Sequence, residues 1–310
     1  MVCQRRSRCQ ASLKSASCSS CRSIGRSDRP TPITFTSKEC RLTRFELDKL
    51  DSGRLVINQA FRQLFQEQGW TDFATIWSQT ADAAVAKKLR TDRITLRFSL
   101  NDQGQQRHFY IKRHGRSSWK EYLKPLLRLT WPILGARNEW NAILAFHTIG
   151  LPTMTPVAFG ESGAQSFLIT ESLENCRKLS ELRFDATSPS QAAMRARFVR
   201  QIAQLTRKMH GAGIHHQDFY LGHLLQSQPH PDRIYIIDLG RVRKHQTLSK
   251  RWIIKDLAQL DFSADATPFE QVRFLRDYLE RPLTTDDRRL MARIQSNKAA
   301  IARNSRKNRL

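Results

Sequence analysis

Gly213-Ile-His-His-Gln-Asp-Phe-Tyr-Leu-Gly-His-Leu-Leu225, followed after a short polar turn by Arg233-Ile-Tyr-Ile-Ile-Asp-Leu-Gly-Arg241, is the stretch on which the fold turns. A helix-like segment runs up to Met209, and Gly211 and Gly213 stop it. The polar loop beyond carries Asp218, and a short apolar run, Leu224-Leu225, comes next. Pro229 and Pro231 mark a turn, and Ile234 to Ile237 reads as a buried strand ending on Asp238. Two carboxylates therefore sit at the mouths of adjacent strands. Phosphoryl transfer uses such a pair, one Asp for the acceptor hydroxyl and one for Mg²⁺ on the nucleotide phosphates.

His216-Gln217-Asp218 matches the H-x-D of a kinase catalytic loop, and Asp238-Leu239-Gly240 matches D-F-G with Leu for Phe. The fifth residue after Asp218, where such loops carry a metal-binding Asn, is His223. With this H-x-D-x-x-x-x-H variant, the string Gly213 to Leu225 resembles the lipopolysaccharide kinase family (Kdo/WaaP type), within the protein-kinase-like superfamily. That resemblance implies an α+β, bilobal protein-kinase-like fold, with an antiparallel sheet in a small N-lobe and a mainly helical C-lobe. It also implies ATP and Mg²⁺ as cofactors and a sugar hydroxyl of a lipopolysaccharide inner core, heptose or Kdo, as acceptor.

Upstream, Arg93-Ile-Thr-Leu-Arg-Phe-Ser-Leu100 alternates as a half-buried strand. Asn101 to Gly104 is a turn, and Arg107 to Lys112 is the returning strand. Phe109-Tyr-Ile-Lys112 resembles the V-A-I-K strand, making Lys112 the candidate phosphate lysine. Arg137 to His147 is strongly helical, with Trp140, Ile143, Leu144 and His147 along one side. Glu139 lies one turn in, where a kinase-like fold pairs it with Lys112. Val157–Gly160 and Ser166–Thr170 are short strands flanking Gly163. Glu171 to Glu174 then falls where a kinase hinge meets adenine, so Glu171 and Leu173 are candidate nucleotide contacts.

Asn58–Gln68 reads as a helix closed by Gly69, and Phe73–Trp77 as another. Ser188 is a candidate N-cap with Pro189 at the first helical position. The helix it opens turns Phe198, Ile202, Leu205 and Met209 inward. In the helix Arg251–Leu260, Asp256 is the candidate brace of the catalytic loop. The motif order assigns Asp218 as general base or hydroxyl-orienting group, with His216 supporting the loop backbone. Asp238 and His223 are the metal candidates, although imidazole is a poor partner for a hard cation. No glycine occurs from Thr71 to Arg90, which weakens phosphate coverage by backbone amides.

The chain has 310 residues, a net charge of +24 and a pI near 10.6, implying an anionic partner. No run of 18 apolar residues occurs, which argues against a membrane-spanning helix. Residues 1–45 read as a basic disordered arm, 46–172 as the N-lobe, 173–290 as the C-lobe and 291–310 as a basic tail. Five of six cysteines (Cys3, Cys9, Cys18, Cys21, Cys40) fall in the arm, without the second pair a zinc site needs; Cys176 reads as a buried or half-buried structural residue. Residues 116–135 mix Trp119, Tyr122 and Trp131 with Lys120, Lys124 and Arg128, which suits packing on the domain or an interfacial contact.

The expected partners are a lipid-linked anionic glycan and, by peripheral contact, the cytoplasmic face of the inner membrane; nucleic acid is disfavoured. Three alternatives stay open: a phosphotransferase acting on a protein or small molecule, a pseudokinase or basic binding protein, and a zinc site from His215, His216, Asp218 and His223.

Overall fold

The computed structural model describes residues 45–79, 84–90, 93–115, 135–184 and 188–307. The cysteines of the N-terminal arm and the basic-aromatic residues Trp119 to Trp131 lie outside them. So do residues 80–83, 91 and 92.

Seven antiparallel strands form the first layer: β1 (Leu47–Leu50), β2 (Leu55–Asn58), β3 (Ala84–Arg90), β4 (Arg93–Asp102), β5 (Gln105–His114), β6 (Pro156–Ser162) and β7 (Gln165–Glu171). Their spatial order is β1-β2-β6-β7-β5-β4-β3. The β4–β5 hairpin turns on Gln103 and Gly104, both at positive φ (50° and 85°), as a two-residue turn between twisted strands requires. Residues 58–68 differ from the helix expected there. Asn58 ends β2, its amide donating to the Pro156 carbonyl at 2.8 Å, a 3-10 turn covers Gln59–Phe61, and the helix α1 spans only Arg62–Glu67. With α2 (Phe73–Gln79), it lays Phe61, Phe65 and Phe73 on Phe109 and Phe167 of the sheet.

Helix α3 (Arg137–Thr148) buries more than one side. Asn138 and Glu139 are buried along with Trp140 and Ala142–Phe146, because the helix is wedged between the sheet and the second layer. After β7 the chain leaves the large sheet. The strands β8 (Cys176–Lys178), β10 (Leu224–Ser227) and β11 (Ile234–Ile236) make a separate three-stranded sheet, and β9 (Ile214–His215) pairs with β12 (Arg243–Lys244).

Helices α4 (Pro189–Gly211), α5 (Lys250–Ala264), α6 (Pro268–Leu279) and α7 (Thr285–Lys307) complete the second layer. Ser188 occupies the N-cap position of α4, but its hydroxyl bonds the Ser190 hydroxyl instead of a helix amide. A full capping box stands instead at α6, where Thr267 and Glu270 exchange side-chain and backbone bonds. The expected tail at 291–310 is, through Lys307, the continuation of α7. Ile294 is buried, Met291 and Ile301 pack beside it, and Lys298 reaches Asp261 at 3.1 Å, so these contacts hold a basic segment helical.

Candidate active site

The helix α5 shapes the catalytic loop. Asp256 is fully buried; its Oδ2 accepts from the His216 amide at 2.7 Å and its Oδ1 from the Gln217 amide at 3.0 Å. One turn on, Gln259 Oε1 accepts from the Phe219 amide at 3.1 Å while its Nε2 donates to the Gln217 carbonyl at 2.6 Å. Another turn on, Ser263 Oγ accepts from the Leu221 amide at 2.7 Å. Three polar groups on one helical face thus satisfy a loop that has no ladder of its own. Burial would raise the Asp256 pKa, but His210 at 3.3 Å and these amides outweigh it and hold the carboxyl below its ordinary value.

Gly213 closes the entry to this loop. Its φ is +74°, and a Cβ there would collide with the His245 carbonyl, which follows β12. The β9–β12 pair therefore approaches closely enough to bring the Asp238 turn beside Asp218.

Asp238 itself adopts left-handed backbone (φ 60°, ψ 55°). From α3, Asn138 Nδ2 donates to the Gly240 and Val242 carbonyls, both at 3.0 Å, pinning the turn that carries the carboxylate. Next to it on the same helix, Glu139 Oε1 lies 2.6 Å from Lys112 Nζ, and Lys112 Nζ lies 3.5 Å from Asp238 Oδ1. Strand β5, helix α3 and the Asp238 turn, distant in sequence, meet at one ammonium. Burial alone would depress the Lys112 pKa, but Glu139 and Asp238 together raise it above the usual lysine value. Asp238 moves the opposite way: burial raises it, yet the Lys112 ammonium beside it carries it below the ordinary Asp value.

Both candidate histidines are oriented through backbone. His216 is fully buried; its Nδ1 accepts from the Asp218 amide at 3.3 Å, so Nε2 carries the proton donated to the Ile237 carbonyl at 3.0 Å. Burial lowers its pKa, keeping the ring neutral as a strut between the two carboxylate-bearing segments. His223 Nδ1 donates to the Asp218 carbonyl at 2.8 Å, which leaves Nε2 on the Asp238 side, 3.6 Å from Oδ2. A neutral ring held this way presents its Nε2 lone pair to a cation.

The hinge candidates fare differently. The Glu171 carboxylate is held by Arg107 at 2.6 Å and its amide donates to the Thr155 carbonyl at 3.1 Å, so these groups are engaged within the fold. Leu173 is half-buried at the exit of the large sheet and packs on the larger core.

The zinc arrangement does not form. His215 turns away from the cleft and stacks between Trp252 (centroids 4.5 Å apart, 11° between planes) and His245 (4.9 Å, 27°). Among the described residues no three His, Cys, Asp or Glu side chains converge on a metal position. The Asp238 carboxylate is the hard oxygen donor that a divalent ion prefers, with the His223 imidazole a weaker one beside it, and nucleotide phosphates and water would complete the coordination.

Four contributors escape the motif reading: Asn138, Gln259, Ser263 and Arg241. Arg241 Nη1 lies 2.8 and 3.0 Å from the two Asp218 oxygens. Polar residues on the apolar faces of α3 and α5 were the available signal for the first three.

A sequence model of the lipopolysaccharide kinase (Kdo/WaaP) family matches residues 75–281. The chain is 35% identical over 244 residues to the lipopolysaccharide core heptose(I) kinase WaaP of Pseudomonas aeruginosa, covering 74% of this chain and 88% of that one. Against the enzyme of the same name from Escherichia coli, it is 35% identical over 233 residues, covering 68% and 86%. Among solved structures, a WaaP in complex with acyl carrier protein superposes with a TM-score of 0.62 at 30% identity, over 80% of this chain and 98% of that one.

Proposed function

Because the chain belongs to the lipopolysaccharide kinase (Kdo/WaaP) family, we propose that its cleft transfers the γ-phosphoryl group of ATP to a sugar hydroxyl, heptose or Kdo, of a lipopolysaccharide inner core. The observation that carries this reading is the meeting of Lys112, Glu139 and Asp238 at one ammonium beside the Asp218 loop.

Asp218 accepts the proton of the acceptor hydroxyl as the new O–P bond forms and the bond from the γ-phosphorus to the bridging oxygen breaks, releasing ADP. Lys112 neutralises charge on the nucleotide phosphates, and Glu139 holds it in register. Asp238 and His223 Nε2 would hold Mg²⁺, which supplies charge neutralisation to the phosphates when bound. His216 positions, with both ring nitrogens engaged by backbone. At the hinge, Leu173 offers backbone groups to adenine.

No helix among the described residues is long and apolar enough to cross a membrane. The charge of +24 favours peripheral contact with anionic lipid at the cytoplasmic face of the inner membrane, where a lipid-linked anionic glycan would be met. The carrier protein bound to the solved relative makes such a protein a second proposed partner.

The test is transfer of γ-labelled phosphate from ATP to purified core glycolipid. Asp218→Asn should lower kcat by about 10²- to 10⁴-fold while nucleotide affinity is kept. A wild type that binds ATP but labels no core glycolipid, or an Asp218→Asn protein as fast as wild type, overturns the reading.

A further inference from the structure

Asp218 is surrounded by more positive charge than a hydroxyl-orienting carboxylate requires. Arg241 Nη1 contacts both of its oxygens, and the Arg241 side chain remains 60% exposed against 23% for Asp218. Lys255 stands one residue before the brace Asp256, half-buried with its ammonium 5.6 Å from the centre of the Trp252 ring. Among the described residues no carboxylate pairs with Lys255. Burial and the nearby Arg241 lower its pKa, while Asp256 and Asp218 act in the opposite sense.

The cations of the site divide into two sets. Lys112 is bound to Glu139 and Asp238, the nucleotide half. Arg241 is bound to Asp218, the half that receives the hydroxyl, and Lys255 lies beside Asp256 on the helix that braces the same loop. An acceptor hydroxyl that approaches Asp218 competes with Arg241, which touches both of its oxygens, and weakens that contact. The guanidinium then keeps its planar fork of donors beside an unpaired ammonium, and that combination matches a carboxylate or phosphate.

Building on the phosphotransferase reading, we propose that Arg241 and Lys255 form an anion cradle on the acceptor side of Asp218, reading a carboxylate or phosphate that the acceptor bears next to the hydroxyl to be phosphorylated. Asp218 itself occupies the Arg241 side of the cradle; the acceptor's anion displaces it and so frees the base as the hydroxyl arrives. Specificity follows from the same exchange, because a neutral acceptor leaves Arg241 on Asp218.

Calorimetric titration of the full chain with inner-core oligosaccharide, in the presence of a non-hydrolysable ATP analogue, tests this. Three ligands are compared: the native oligosaccharide, one with its carboxylates methyl-esterified and one stripped of phosphate. Arg241→Gln and Lys255→Gln should each weaken native binding about tenfold, the scale of one charge-assisted contact, and Arg241→Lys should recover part of the loss. The wild type should discriminate against one of the two neutralised ligands, which identifies the anion, and the Gln variants should not discriminate.

Native binding unchanged in both variants, an equal loss for native and neutralised ligands, or loss confined to the nucleotide analogue would overturn the cradle. So would a wild type that does not bind the native oligosaccharide. The kinase reading is judged separately by labelled transfer: a wild type that discriminates among the ligands but transfers nothing would sink that reading and leave the cradle standing.

Discussion

Asp256 Oδ1 accepts from the backbone amide of Gln217 at 3.0 Å, and Gln217 is the one residue of the catalytic loop between His215 and His223 held at positive φ (71°). A non-glycine residue in that region costs on the order of 1 kcal/mol and persists only where its surroundings fix it. The buried carboxylate of Asp256 is what fixes it, since it also takes the His216 amide. Replacing Asp256 by Asn leaves buried donors facing an amide NH₂ and removes the charge opposite His210. The expected loss is about 3 kcal/mol or more of unfolding free energy. Denaturant unfolding of Asp256→Asn checks this, and a midpoint within error of wild type would contradict the brace.

Lys112 and Glu139 make a second prediction with a defined sign. The carboxylates raise the Lys112 pKa against the opposing effect of burial. A raised lysine contributes stability that is complete below its unfolded value and lost as pH rises through the folded one. Glu139→Gln removes the nearer carboxylate, so burial gains weight and the alkaline limb of kcat/KM should move to lower pH. Lys112→Met should remove the limb and lower kcat/KM about 10²- to 10³-fold, as expected when a preorganised charge at developing phosphate charge is lost. A pH profile of Glu139→Gln that superimposes on wild type would show that Glu139 does not set the lysine.

How much of this was readable in advance follows from what each residue does locally. Lys112 lies near the end of a strand, Glu139 in the first turn of a helix and Asp238 just past a strand, with Asp218 in the polar loop between patterned segments, so their order in the chain announced their meeting. Asp256 could be placed because the kinase-like resemblance implies a buried acid on this helix that braces the loop. Gln259 and Ser263 stand out in the sequence only as polar residues on the apolar face of α5, because their role exists only once the loop has folded against them. Arg241 follows the metal motif directly, yet its partner Asp218 is 23 residues away and nothing local links the two. The C-terminal segment misled for a different reason: its charge is that of a solvated tail, and only Ile294, Met291 and Ile301 at helical spacing reveal a packing face.

His223 supports a prediction about metal dependence. Its Nδ1 holds the Asp218 carbonyl and its Nε2 stands 3.6 Å from Asp238 Oδ2, so one ring bonded to the Asp218 segment faces the Asp238 carboxylate. His223→Ala removes the proposed metal ligand and leaves the Asp218 carbonyl without its donor. The Mg²⁺ concentration giving half-maximal transfer should rise about tenfold, within the range reported when groups supporting a metal site are lost. Removal of divalent ions with EDTA should abolish transfer in both proteins. Identical Mg²⁺ titrations for wild type and variant would confine His223 to holding the loop.

His215 gives a stability effect separable from catalysis. Burial lowers its pKa to about 3, with His245, Lys255 and His210 adding repulsion and Asp256 opposing them. Its Nε2 is buried without a hydrogen-bond partner among the described residues, and its faces are covered by Trp252 and His245. A group whose folded pKa lies below its unfolded value leaves stability intact above the unfolded value, near 6.5, and erodes it as pH falls toward about 3. Across that window the unfolded chain takes up one proton that the folded chain refuses, worth about 1.4 kcal/mol per pH unit. His215→Phe keeps an aromatic ring against Trp252 and removes the orphaned nitrogen. Unfolding free energies measured between pH 6.5 and 4 should fall less steeply in the variant, by close to one proton, with the remaining slope left to His216 and the carboxylates. Parallel slopes for the two proteins would mean that His215 takes its proton in the folded chain, and the buried stack would have to open to admit it.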